Sequence, residues 1–294
     1  MKGPALLSQP VSDRPLRGIV AMLLAVAFFS AMDAGMKSLT AAHSPMQIAC
    51  LRGAFAWPFV VLWLWRSAQF QHLLQARWSL HLLRAALGIT MLWAFVFSLQ
   101  TLGLADAYAI FFAAPFIITL LSAWWLKEYV APRHYLVLAI GLAAVFYMLK
   151  PDAGQWFSLG ALGALLAAFC YAVSAITVRV LARSDSAGNM VFWLMTFLTL
   201  GAGLLALPHW QPLQLALWPL YLLVGVSGFL GQITITEAFR IAPAAVVAPF
   251  EYTALLWGIG FDIVFWQQYP GSSVYIGASI IMLCGLYLLL QQRR

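Results

Sequence analysis

The chain has 294 residues, of which 64% are hydrophobic and 9% charged, and it carries a formal net charge of +7. Soluble domains carry roughly 25% charge, and one core could not hide this much apolar surface, so a water-soluble enzyme or binding domain is excluded. In a chain built for lipid the cationic excess points to membrane orientation, not to nucleic acid.

Residues 1–16 hold Pro4, Pro10 and Pro15 among polar neighbours and predict a flexible cytoplasmic tail. Ten apolar segments follow, each close to the roughly 20 residues that cross a hydrocarbon layer: residues 18–39, 46–65, 80–101, 106–126, 132–149, 157–181, 188–207, 216–236, 243–266 and 273–291. The first lacks a small-residue cleavage site and is too long for a signal-peptide core, so it is expected to be retained. Span one carries Asp33 and Lys37 four residues apart on one face, and span two carries Arg52. The link Arg66 to Ser79 is the one longer connection and could lie on the membrane surface as a short amphipathic piece. Span three holds Trp93 and Gln100; span four holds Tyr108 and an interior proline, Pro115. Span six holds Tyr171, and span eight holds Gln232. Span nine holds a second interior proline, Pro249, followed by Glu251, Tyr252 and Trp257. Cys50, Cys170 and Cys284 fall inside spans with no CxxC and no Cys/His cluster, which argues against both a disulfide framework and a metal site.

With a cytoplasmic N-terminus, ten spans put Lys2, Arg14, Arg17, Arg66, Arg77, Lys127, Arg133, Arg183, Arg240, Arg293 and Arg294 on the cytoplasmic side, and the opposite loops keep little beyond Lys37 and Lys150. This is the positive-inside asymmetry, and it places both termini in the cytoplasm.

The segment from Gly18 to Lys37 is written to the same plan as that from Gly160 to Arg179, 142 residues on. Each has Gly, then Leu-Leu-Ala, then an aromatic, then a cation nineteen residues after the glycine. A second echo matches Gly88 with Gly225 and Gln100 with Glu237. Five spans per copy is an odd number, so the second copy is inverted, the architecture of many secondary transporters. The same architecture places the binding site where helices are interrupted at matched positions, here Pro115 and Pro249. The expected fold is therefore an all-α integral membrane protein, with repeats over residues 17–150 and 157–291.

The order of these features resembles the drug/metabolite transporter superfamily and its EamA-type branch. The resemblance rests on the ten spans, the five-plus-five duplication, Phe29-Ser30-Ala31-Met32-Asp33 followed by Lys37, and Arg52-Gly53. It also rests on Ala105-Asp106-Ala107, Pro115 and Lys127-Glu128. The second half departs from the pattern, with Gln267 and Gln268 where the branch usually has an acid and Leu194 opposite Arg52. The resemblance implies a central cavity lined mainly by spans one, three, four, six, eight and nine, with five and ten as scaffold.

Ionisable groups inside a bilayer cost roughly 2.5–3.5 kcal/mol each on insertion scales, so each requires a reason. Glu251 is the sharpest case, near the midplane with no base within one helical turn. The residues expected to meet a substrate are Asp33, Trp93, Gln100, Tyr108, Pro115, Tyr171, Gln232, Glu251, Tyr252 and Trp257, with Glu251 and Asp33 as coupling groups. Arg84, Arg179 and Arg183 sit at cytoplasmic ends and are expected only to set orientation. The predicted function is alternating-access transport of a small organic solute, amino-acid-like, zwitterionic or amphiphilic, across the inner membrane. No phosphate-binding loop is present, so exchange or proton coupling replaces direct ATP drive. No cofactor or metal is expected, and the protein would act as a monomer or homodimer. The alternatives are a channel or facilitator, a lipid or sugar-phosphate carrier, and a membrane-embedded enzyme.

Overall fold

The computed structural model describes residues 14–39, 41–66, 73, 77–99, 110–149, 159–267 and 272–292. Residues 1–13 of the tail, most of the link after Arg66, and Gln100, Asp106 and Tyr108 lie outside the described residues. The described chain is helical throughout: α1 Pro15–Leu39, α2 Pro45–Arg66, α3 Trp78–Leu99, α4 Ala114–Trp125, α5 Pro132–Leu149, α6 Leu159–Leu181 and α7 Ala187–Ala206. There follow α8 Trp218–Ile241, a broken ninth span of α9 Ala244–Val247, a 3-10 turn Ala248–Thr253 and α10 Ala254–Trp266, and finally α11 Ser272–Gln292. Seven of these stretches are long and apolar enough to cross a membrane, and α4 and a central part of α11 are shorter apolar helices. With α5, they match the ten expected spans in order.

Lipid offers no hydrogen bonds, so a spanning backbone must satisfy itself, and helix is the one local solution for an isolated segment. Proline opens α1, α2 and α5, where a missing N–H costs nothing. Ser186 caps α7 by accepting from the Asn189 N–H at 3.2 Å. Intramembrane hydroxyls are satisfied within their own helix: Thr177 donates to the Val173 carbonyl at 2.7 Å and Thr199 to the Met195 carbonyl at 2.7 Å.

The helices pair across the repeat, not within it. Helix α1 lies along α8, α3 along α6, α2 along α7, and α5 along α11; α2 also meets α8, and α3 meets α7. Exchanging each span with the one five later maps this set of pairings onto itself, as an inverted duplication requires. Small residues allow the close approach. At Gly225 on α8 a Cβ would stand 2.4 Å from Phe55 Cβ and 2.7 Å from the Phe55 carbonyl carbon.

The exchange also relates two buried hydrogen bonds that the sequence reading did not anticipate. In the loop between α1 and α2, His43 Nε2 stands 2.6 Å from the Tyr221 hydroxyl, near the start of α8. In the equivalent loop between α6 and α7, the Asp185 carboxylate accepts from His81 Nε2 at 2.7 Å, near the start of α3. The helix starts carry the signal: Trp78-Ser79-Leu80-His81-Leu82-Leu83 matches Trp218-Pro219-Leu220-Tyr221-Leu222-Leu223. Burial alone would raise the Asp185 carboxyl. Hydrogen bonds from His81 and Ser184, with the nearby charges of His81 and Arg77, outweigh it and hold the group below the ordinary aspartate range. A carboxyl depressed in the folded state contributes stability above its ordinary pKa, and that contribution is lost as pH falls through the folded value. Asp185→Ala is therefore expected to lower the unfolding midpoint of the purified protein, at a cost of about 3 kcal/mol near neutral pH. The gap between the two proteins should narrow in acid; a gap independent of pH would remove the ion pair as its cause.

Candidate functional site

Both prolines stand at breaks in their spans, not in continuous helix. Pro115 occupies the first turn of α4, just after residues 110–113, where the Ala113 N–H bonds the Ile110 carbonyl at 3.0 Å. Pro249 occupies the first turn of the 3-10 segment Ala248–Thr253. Proline has no N–H to return to the preceding turn, so the chain tightens and restarts. The carbonyl of Pro115 accepts from Thr119 Oγ1 at 3.0 Å and is thereby occupied locally.

The tight turn after Pro249 carries Glu251, which is 9% exposed. Its Oε1 accepts a hydrogen bond from the Tyr171 hydroxyl on α6 at 3.0 Å. Among the described residues this is its hydrogen-bond partner, and it brings a donor without a charge. Phe111, beside the break in span four, stands 5.7 Å from the Tyr171 ring, and Phe95 on α3 stands 5.5 Å from Phe111. Spans nine, six, four and three are thus linked in that order by contacts that start at one buried carboxyl. The sequence reading selected Tyr171 and Glu251 separately; it missed Phe111, whose only sequence signal is its place four residues before Pro115.

A second station joins α1 and α2. Asp33 is exposed on α1. A carboxyl turned to lipid at this depth would be costly, so the open side faces water. Asp33 and Arg52 lie within electrostatic reach of each other without a direct hydrogen bond. The Arg52 guanidinium lies 5.6 Å from the centre of the Phe29 ring, and its Nε is buried without a hydrogen-bond partner among the described residues. Gly228 and Gly231 on α8 leave space for Arg52 and Phe29 respectively.

The remaining expected residues are placed elsewhere. Trp93 is 55% exposed, stacks on Phe97 at 5.8 Å, and shares its face of α3 with exposed Leu82 and Ala86. Trp257 forms an aromatic row with half-buried Phe261 and exposed Phe265. Tyr252 points toward α5, where Gly141 leaves room for its ring, and packs with Phe112 and Leu138. Gln232 is buried and donates to Thr236 Oγ1 at 3.3 Å. Two cations expected only to set orientation are packed inward instead. Arg84 is 2% exposed and donates to the Met190 carbonyl at 3.3 Å. Arg179 donates Nε to Glu128 Oε1 at 2.7 Å. Near a span end, sequence cannot distinguish a side chain that snorkels to water from one that turns into the bundle.

Comparison with known proteins agrees with this architecture. The model of the EamA-like transporter family matches residues 16–150 and again residues 158–291. The chain is 27% identical over 277 residues to the pseudopaline exporter CntI of Pseudomonas aeruginosa, covering 92% of this chain and 95% of that one. It is 29% identical over 287 residues to a riboflavin transporter of Vibrio cholerae, covering 93% of each. A S-adenosylmethionine uptake transporter of Rickettsia prowazekii is 25% identical over 284 residues, covering 95% of this chain and 94% of that one. One solved crystal structure superposes with a TM-score of 0.78 at 19% identity, covering 94% of this chain and 98% of the other, which supports the fold.

Proposed function

Because the chain belongs to the EamA-like transporter family and is a multi-pass membrane transporter, we propose that its cargo is a small zwitterionic or amphiphilic organic solute, carried by alternating access. The observation that carries this reading is a buried carboxyl with no counter-charge among its described hydrogen-bond partners and a buried guanidinium N–H with none. Glu251 is held by a neutral hydroxyl, and Arg52 keeps a buried donor without a partner. A solute bearing both an ammonium and a carboxylate complements both stations, with Phe29, Phe111 and Tyr171 offering apolar faces to its body. The named relatives include an exporter and an uptake transporter, so direction is not inherited from similarity and the cavity's own charges are the guide to cargo. Glu251, with Asp33, serves as the coupling group, exchanging a proton or the solute's cation. The chain sits in the inner membrane with both termini in the cytoplasm, as its loop cations favour.

The test uses the purified full chain in proteoliposomes. Saturable entry of an amino-acid-like solute is expected, accelerated by unlabelled solute on the far side. Failure of every amino acid, amine and nucleoside-like solute to move, with or without a pH gradient, would sink the proposal. An ohmic current would replace it with a channel.

A further inference from the structure

Arg84 is the largest of the fully buried side chains among the described residues, and it takes no part in either station. Its Nη1 donates to the Met190 carbonyl on α7 at 3.3 Å, and its Nε is buried without a hydrogen-bond partner among the described residues. His81 stands one turn earlier on the same face of α3. Its Nε2 is spent on Asp185, while its Nδ1 is likewise buried without a partner among the described residues. Both side chains reach the segment from Asp185 to Met190, so the two unspent nitrogens lie at one interface, between α3 and the start of α7.

The charges at this interface do not cancel. A guanidinium keeps its proton in a protein, and the carbonyl it meets is neutral. Asp185 accepts from both His81 and Ser184, and the charges that act on it are those of His81 and Arg77. No described acid stands within electrostatic reach of Arg84. With His81 charged in its ion pair, its Nδ1 bears a second N–H donor. A buried cation without a counter-charge is strongly destabilising. A water would satisfy the N–H groups and leave the charge in place; an anion answers both.

The inverted copy shows that the fold does not require a cation here. The match of Trp78–Leu83 with Trp218–Leu223 runs on to place Arg84 opposite Val224. Val224 is buried too and packs against α1, where a Cβ at Gly35 would stand 2.8 Å from its Cγ2. An apolar side chain thus fills the equivalent position, and exchanging a buried charge for apolar packing often leaves a protein as stable or more so. The cation at position 84 therefore has a use beyond packing.

We propose that the interface of α3 with α7 binds a small monovalent inorganic anion, of the halide class, held by Arg84 Nε and the His81 Nδ1–H. Side chains three apart on a helix have Cβ atoms about 5–6 Å apart, so one ion spans both. Burial of both side chains selects a small ion over phosphate or sulfate. The ion joins a helix of the first repeat to one of the second, as a structural ligand and not as cargo, so the inference stands apart from the reading of the transported solute.

The test uses the purified full chain in detergent, with its unfolding midpoint measured in sodium chloride, sodium bromide and sodium gluconate at equal ionic strength. The native midpoint is expected to stand about 3 °C higher in either halide than in gluconate, with a saturable dependence on halide. Arg84→Met is expected to lose that difference. Crystals of the native chain grown in bromide are expected to show an anomalous peak between Arg84 and His81. If Arg84→Met does not fold, the bromide peak decides alone. A native midpoint indifferent to halide, a halide effect that survives intact in Arg84→Met, or crystals without bromide at this interface would each overturn the site.

Discussion

Glu251→Gln is expected to abolish accumulation of cargo against a gradient, by roughly tenfold or more, while leaving counterflow exchange within about threefold of native. Glutamine keeps the size of the side chain and can still accept from Tyr171, so the shape of the site survives the change. What disappears is the ability to alternate between a charged and a neutral form. A buried carboxyl facing a donor that brings no charge is poised for that alternation, since each state of the cycle can offer it a different counter-charge: a proton or the solute. Tyr171→Phe provides the comparison. It removes one hydrogen bond worth about 1 kcal/mol, so apparent affinity should weaken severalfold while gradient-driven accumulation persists. Proteoliposome uptake and counterflow, measured side by side on both variants, separate the two roles. Undiminished accumulation in Glu251→Gln would take Glu251 out of the coupling mechanism.

Gly225→Val should prevent the folded bundle from forming. Any Cβ at this position meets the Phe55 backbone at 2.7 Å, and a backbone cannot turn aside as a flexible side chain can. Relief requires α8 to move away from α2, and α8 is also the main neighbour of α1. Overpacking of this kind costs typically 1–3 kcal/mol even where side chains can adjust, and here the obstacle is rigid. The yield of monodisperse protein in size-exclusion chromatography is expected to fall about tenfold, an effect well outside that of ordinary substitutions. Two glycines serve as controls. At Gly258 a Cβ would meet nothing within 4 Å, and at Gly88 its nearest neighbour would be Leu198 Cδ1 at 3.8 Å. Alanine at either should leave the yield near native. Gly88 and Gly225 echo each other in sequence, yet one lies loose and the other tight, which repetition alone could not reveal.

That contrast marks where sequence reading ends. The spans were legible because bilayer thickness fixes their length, and the duplication was legible from a few matched glycines, aromatics and cations. Glu251 announced itself as an isolated acid in an apolar run. Its hydrogen bond to Tyr171 did not, since 80 residues separate the partners and no local pattern encodes that distance. Trp93 and Trp257 illustrate a different limit. An aromatic residue in an apolar helix suits lipid as well as a cavity, and the neighbours sharing its face decide between them. Arg84 and Arg179 sit close enough to span ends to have reached water, and the packing of α3 and α6 turned them inward instead. Tyr252 follows Glu251 directly and yet packs against the scaffold, because successive residues of a tight turn point to different sides.

The crosswise pairing of helices also has a consequence for biogenesis. As the chain leaves the ribosome, the first five spans enter the membrane before their main neighbours exist. Helix α1 must wait for α8, α2 for α7, α3 for α6, and α5 for α11. Until synthesis is nearly complete, the surfaces that will bury Gly35, Gly53 and Arg84 face lipid or one another provisionally. Neither half is an apprentice fold that the other merely joins. The bundle closes late and as one event, and α11, the last helix to emerge, supplies the partner for which α5 has waited.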